Sequence, residues 1–213
     1  MPLQEETARR PIAARSSGWA VALSAWLART GVTPNAISVT SVLFAAIGGA
    51  LILYPDHWLA LLGAALCVQL RLVCNLLDGM VAIEGGRKSS VGAVYNEFPD
   101  RIADTLFLAP LGYAAGMPWL GWASALLAAL TAYVRVFGGS LGLAQDFSGV
   151  MAKQRRMAAL TIGLVAQAVV SFFSAGLWPL LVTAAIIAAG SLATCITRTV
   201  AIARKLEQGG VPL

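Results

Sequence analysis

Apolar stretches of about twenty residues, the length a helix needs to cross a ~30 Å hydrocarbon layer, recur along this chain between short breaks of Pro, Gly and clustered charge. The pattern predicts six spans, at residues 35–54, 58–81, 92–115, 119–137, 157–175 and 178–201. Ahead of them Trp19, Leu23, Trp26 and Leu27 follow helical spacing with Arg29 just beyond, which predicts an amphipathic helix lying in the membrane interface. Thr33-Pro34-Asn35 should end that helix and start the first span. Pro suits a first helical turn and pushes the preceding residue out of helix. The predicted fold class is an all-α integral membrane protein, a six-transmembrane-helix bundle with an N-terminal interfacial helix. Residues 1–16 read as a flexible tail, 17–205 as one transmembrane domain and 206–213 as a C-terminal tail.

Composition supports the same solvent. Of 213 residues 58% are hydrophobic and 12% charged, against roughly 25% charged in a soluble domain, and mean hydropathy is +0.76. The breaks at Pro55-Asp56-His57, Gly116-Met117-Pro118 and Gly176-Leu177-Trp178-Pro179 hold no Lys or Arg. Arg9, Arg10, Arg15 and Arg29, then Arg87 and Lys88, then Lys153, Arg155 and Arg156, and finally Arg204 and Lys205 occupy the other connections and ends. The positive-inside rule therefore predicts both termini and the basic loops in the cytoplasm, and the economy of loops suggests a bacterial inner membrane.

The net charge of +5 then belongs to one membrane face, where it meets anionic headgroups or a phosphorylated substrate. The basic runs are short and juxtamembrane, with no nucleic-acid-binding motif, so nucleic acid is not an expected partner. Cys67, Cys74 and Cys195 fall inside spans without metal-finger spacing and read as packing residues. The lone His57 lies in an outer turn, which argues against a histidine-based metal or triad site.

Chemistry concentrates between Arg71 and Asp104. Ionisable groups inside spans are expensive and mark function by default. Asn75 and Asp78 share a face of the second span, one turn beyond Arg71, while Asn96, Asp100 and Asp104 form a stripe on the third. A short Gly-rich connection from Glu84 to Val91 joins the two, which predicts antiparallel neighbours with the polar faces opposed. Converging carboxylates and amides suit a hard cation, Mg²⁺ or Mn²⁺. Gly79, Ala82 and Gly92 are small where the helices approach, leaving room for a ligand or simply permitting tight packing.

These residues resemble the signature of the CDP-alcohol phosphotransferase (CDP-alcohol phosphatidyltransferase) family, D-x2-D-G-x2-A-R-x8-G-x3-D-x3-D. The spacing holds through Asn75, Asp78, Gly79, Ala82, Ile83, Gly92, Asn96 and Asp100. The six spans, the interfacial helix before Thr-Pro-Asn and the basic residues after span four extend the likeness over most of the chain. The resemblance implies a membrane phosphotransferase of phospholipid biosynthesis. It would move a phosphatidyl group from a CDP-linked donor, CDP-diacylglycerol or another CDP-alcohol, to an alcohol acceptor with release of CMP. It implies metal bound at positions 75, 78, 96 and 100, Asp100 as general base, and a homodimer among membrane lipids.

Three positions depart from the family pattern. Asn75 and Asn96 stand for aspartates and Ile83 for an arginine, which removes two negative charges from the metal site and makes two metals doubtful. Asp104, one turn from Asp100, is a candidate compensating acid; Glu97 and Glu84 are others. Arg71, Arg135, Lys153, Arg155 and Arg156 are candidates for holding a donor or acceptor phosphate, Arg135 foremost because it interrupts an apolar run, while Arg155 and Arg156 read equally as inside-positive flanks. Arg71 is expected either to neutralise Asp78 or Asp104, or to replace the charge lost at Ile83. Pro99 removes one backbone donor just before Asp100.

Two rival classes remain. A transporter would place its charges near the midplane, with broken helices and repeated halves, and here they gather at one face without a repeat. A catalytically silent binder of CDP-lipid fits the asparagines better. The acceptor is open among glycerol phosphate, inositol phosphate, serine, choline and a lipid alcohol, with the basic residues favouring a phosphorylated one.

Overall fold

In a computed structural model the chain is all-helical; residues 16–84, 91–173 and 176–209 are described. The helices are α1 (Gly18–Arg29), α2 (Pro34–Ile52), α3 (Trp58–Glu84), α4 (Gly92–Ala114), α5 (Pro118–Ser140), α6 (Lys153–Phe173) and α7 (Trp178–Gly209). All except α1 and α4 are long and apolar enough to cross a membrane. α4 has the length, 23 residues or about 34 Å, but carries Glu97, Asp100, Arg101 and Asp104.

The break before α2 forms as its residues dictate. Thr33 is extended and its hydroxyl accepts a hydrogen bond from the Ala36 N–H at 3.2 Å, with Pro34 at the first helical position. Between α4 and α5 Gly116 takes a φ of 72°, the left-handed conformation that ends a helix cheaply only for glycine.

The spanning-length helices close into a ring. α2 packs on α3 and α4, α4 on α5, α5 on α7, α7 on α6 and α6 on α3, while α1 lies against the outside of α3. Association in lipid relies on close van der Waals packing, because the solvent is as apolar as the side chains. Small residues make that approach here. A Cβ on Gly49 would stand 2.1 Å from the Leu106 carbonyl oxygen, the group that Pro110 inside α4 leaves without its helical donor. A Cβ on Gly112 would stand 2.4 Å from the Gly121 nitrogen, so α4 and α5 touch backbone to backbone. Leu61, Val68, Phe107, Leu160 and Ile187 fill the middle with no exposure. Leu59, Leu126, Ile162 and Phe173 point outwards, Phe173 with 86% of its surface free. That outward apolar band suits lipid and not water.

The structure corrects three sequence-based expectations, two of them helix boundaries. α6 begins at Lys153, not 157, and α7 continues to Gly209, so part of the expected C-terminal tail is helix. Hydropathy marks where apolar residues stop; a helix whose last turns carry Arg204, Lys205 and Glu207 continues past that point. The third correction concerns α3 and α4, which are not a closely packed pair among the described residues. α2 packs against both, and long polar side chains fill the gap between them. Residues 85–90 of the connection, with Arg87 and Lys88, lie outside the described residues, as do 1–15.

Candidate active site

The gap between α3 and α4 is where the polar residues meet. Arg71, Asn75 and Asp78 come round on one face of α3 because residues three and four apart stack on a helix. Asn75 donates from Nδ2 to Asp100 Oδ1 at 2.6 Å. Arg71, with no exposure, donates from Nη2 to Asp100 Oδ1 and to Asp104 Oδ1, each at 3.1 Å. The first turn of α6 approaches from the other side. Lys153 Nζ pairs with Asp100 Oδ2, and Arg156 Nη2 donates to Asp104 Oδ2 at 2.6 Å.

Two kinds of carboxylate result. Asp104 is 1% exposed and held between two arginines. Arg71 Nε and Nη1 and Arg156 Nε are buried without a hydrogen-bond partner. Asp78 is also buried, at 8% exposed, yet forms no ion pair with any described residue. Its Oδ2 accepts from the Ser38 hydroxyl at 2.8 Å and its Oδ1 from the Gly79 N–H at 2.6 Å. Removing a charge from water without an opposite charge costs several kcal/mol, so Asp78 is where a cation is wanted.

Arg71 therefore pairs with Asp104, one of the two expected partners, and with Asp100, and not with Asp78. Asp104, the candidate compensating acid, has both oxygens engaged by arginines. Among the described residues no three His, Cys, Asp or Glu side chains gather as a metal-binding group. The donor set at the gap is Asp78 and Asp100 with the amide of Asn75; the side chains of Asn96 and Glu84 lie outside the described residues. Such a set fits one hard cation. Mg²⁺ in particular is commonly held by one or two carboxylates and completes its shell with water and substrate phosphate oxygens. Gly92 borders open space, since an added Cβ there would meet nothing within 4 Å. Ala82 is half-buried and Ile83 is 49% exposed.

A second basic recess lies between α5 and α7, lined by Arg135, Leu143, Asp146, Arg198 and Lys205. Arg135 pairs with Glu97 of α4, donates to the Gln145 side chain and sits 5.0 Å over the Phe147 ring. Arg198 ties down the 141–152 loop, donating to the Ser148 carbonyl from Nε at 2.9 Å and to the Thr131 carbonyl from Nη1 at 2.7 Å. Met151 N–H donates to Thr194 Oγ1 at 2.9 Å, so the loop that delivers Lys153 is docked on α7. Burial of Asp146 disfavours its charge, but the Ser148 hydroxyl and N–H, with Arg198 and Lys205 nearby, hold its carboxyl below the ordinary aspartate value. Arg155, a sequence candidate, turns away and donates to the Gly149 carbonyl at an exposed position.

Sequence reasoning passed over Arg198 and Ser38, and named Arg156 as a phosphate holder or membrane flank but not as the partner of Asp104. Arg198 interrupts an apolar run as Arg135 does, so the same test finds it. Nothing in the sequence sets Ser38 apart from other small residues of its helix.

No protein-family model matches the chain. It is 30% identical over 200 residues to the phosphatidylinositol phosphate synthase of Streptomyces avermitilis, covering 85% of this chain and 77% of that one. It is 30% identical over 138 residues to the archaetidylinositol phosphate synthase of Aeropyrum pernix, covering 65% and 69%. The fold matches the crystal structure of Mycobacterium tuberculosis phosphatidylinositol phosphate synthase with CDP-DAG bound, with a TM-score of 0.71, 23% identity and coverage of 87% of this chain and 94% of that one. The same enzyme in complex with manganese and citrate matches with a TM-score of 0.70, at 24% identity over 86% and 88%. With a signature-spaced polar gap, a ring of membrane helices and these relatives, the chain belongs to the CDP-alcohol phosphatidyltransferase family, membrane transferases of phospholipid biosynthesis.

Proposed function

We propose that the protein moves the phosphatidyl group of CDP-diacylglycerol to a hydroxyl of a phosphorylated polyol, with inositol phosphate the first to test, and releases CMP. The donor and the acceptor class are carried over from what the relatives are named for. The observation that carries the reading to this chain is Asp78, a buried carboxylate that forms no ion pair with any described residue and lies within electrostatic reach of Lys153 and Asp100. In this reading α4 is the sixth span, α1 rests in the interface, the gap opens to the cytoplasm of a bacterial inner membrane, and the chain pairs as a homodimer.

Asp78, Asp100 and the carbonyl of Asn75 or Asn96 would hold one Mg²⁺ or Mn²⁺, which supplies Lewis-acid stabilisation for the charge developing on the pyrophosphate. Asp100 takes the proton of the acceptor hydroxyl, a role that needs a carboxylate ionised and within reach. The freed oxygen attacks the phosphorus bearing diacylglycerol, the phosphorus–oxygen bond to CMP breaks, and CMP leaves with that electron pair. Lys205, and Arg135 once released from Glu97, would offer the acceptor phosphate cationic partners at the recess between α5 and α7.

A second reading, a silent CDP-lipid binder, has one observation in its favour. Asn75 gives its N–H to Asp100 where the family pattern has an acid. CMP release by the purified chain in nanodiscs, with CDP-diacylglycerol, Mn²⁺ and either inositol phosphate or inositol, separates the two. The transferase reading expects release with the phosphorylated acceptor and its loss in Asp100→Asn. Binding of CDP-diacylglycerol without release from any acceptor would establish the binder instead.

A further inference from the structure

The carboxylate proposed as base and metal ligand already carries cations of its own. Arg71 takes Asp100 Oδ1 and Lys153 takes Oδ2, with Arg101 Nη2, on the same helix as Asp100, more distant from Oδ2 at 3.6 Å. The two cations in direct contact, Arg71 and Lys153, differ in their freedom to leave. Arg71 has no exposure, bridges two aspartates with one nitrogen and stands in the middle of α3. Lys153 is the first residue of α6, and its side chain is 17% exposed. Its ammonium is a compact charge on a flexible four-carbon stem, able to swing without moving backbone.

The first turn of α6 adds a reason to move. It carries Lys153, Arg155 and Arg156 and no acid, at the helix end where the backbone dipole is already positive and favours anions. Asp100 and Asp104 are the acids it meets, and both are shared with Arg71. A phosphate group reaching this helix end would relieve an excess of positive charge that the protein's own carboxylates only partly offset.

We propose that Lys153 is an exchangeable counter-ion: its ammonium holds Asp100 in the metal-free protein and passes to a phosphate oxygen of the nucleotide-linked donor when a divalent cation takes that carboxylate. This rests on the transferase reading above and adds to it a residue that couples cation binding to donor binding. The exchange explains how two asparagines are tolerated in the motif. With less fixed negative charge, the site keeps Asp100 neutralised until cation and donor arrive together, and the donor's own phosphates supply the missing charge.

The test is Mn²⁺ binding to the full chain in detergent, read from the electron paramagnetic resonance signal of free Mn²⁺, with CDP as soluble probe of the donor head. Lys153→Met should bind Mn²⁺ roughly tenfold more tightly without CDP, as expected when one competing unit charge is removed at a few ångströms. With Mn²⁺ saturating, it should bind CDP roughly tenfold more weakly. Lys153→Arg, which keeps the charge, should stay near the parent in the first measurement. A monodisperse Lys153→Met whose Mn²⁺ affinity is unchanged or weaker overturns the exchange. Absence of Mn²⁺ binding by the parent, with CDP present, overturns the metal reading as well. Parent binding with an indifferent Lys153→Met removes the exchange alone.

Discussion

Asp104 and Asp78 are both buried aspartates in the same polar gap, and they live under opposite conditions. Asp104 has two arginines on its two oxygens. Asp78 has a serine hydroxyl and a backbone N–H. The difference separates a carboxylate that holds α3, α4 and α6 together from one left for a ligand to complete. A buried ion triad is costly to assemble but more costly to break, since each lost partner strands a charge. A carboxylate held only by neutral donors keeps its demand for a cation.

The strongest way to break the comparison is Asp104→Asn, which strands Arg156 and takes one of Arg71's two carboxylates. It should destabilise the protein by about 3–5 kcal/mol, seen as early thermal unfolding or aggregation in detergent, whereas a loss under 1 kcal/mol would deny the triad its structural role. Ser38→Ala comes next. It removes one of two neutral donors from a buried carboxylate and should cost about 1.5–3 kcal/mol without metal. Saturating Mn²⁺ should recover part of that loss, because the cation satisfies the same oxygen; equal losses with and without Mn²⁺ would separate Asp78 from the cation.

Asn75→Asp sharpens the comparison from the ligand side. It puts a negative charge beside Asp78 and Asp100 and should raise Mn²⁺ affinity roughly tenfold, while lowering the melting temperature of the metal-free chain. Unchanged affinity would place the cation away from position 75. The smallest effect is expected in the recess. The carboxyl of Asp146 lies below its unfolded value, so its contribution to stability is present above about pH 4. That contribution fades as pH falls through the lower folded value. Asp146→Asn should flatten the acid limb of a pH–stability profile by a few tenths of a kcal/mol, and an unchanged limb would assign the tie to the loop backbone.

Much of the architecture was legible because lipid enforces it. Runs such as residues 178–201 carry a length and a polarity that few other structures satisfy. Thr33 and Pro34 located the start of α2 to within a residue, since capping chemistry is local. Helix ends beyond the apolar run were not legible, because Arg204 to Glu207 favour helix as readily as loop and hydropathy says nothing of them. At the site, the stripe of Asp100 and Asp104 was readable from spacing alone. Which acid would be locked was not. That depends on Arg156 arriving from α6, 52 positions away in sequence from Asp104, and on a short connection not forcing α3 and α4 into close contact. Ser38 belongs to the same class, a contact made by the ring's closure between α2 and α3 and carried by no local pattern.

The central claim is that Asp78 is the carboxylate held in waiting for a divalent cation. Mn²⁺ titration of Asp78→Asn beside the parent chain, with melting temperatures recorded in the same detergent, tests it most directly. The account expects Mn²⁺ affinity to fall at least roughly tenfold, as loss of a unit charge at the site implies. It also expects the metal-free melting temperature to hold or rise, because a buried charge that forms no ion pair with a described residue has been removed. Undiminished Mn²⁺ binding together with a large fall in melting temperature would contradict it, and would make Asp78 a structural residue like Asp104.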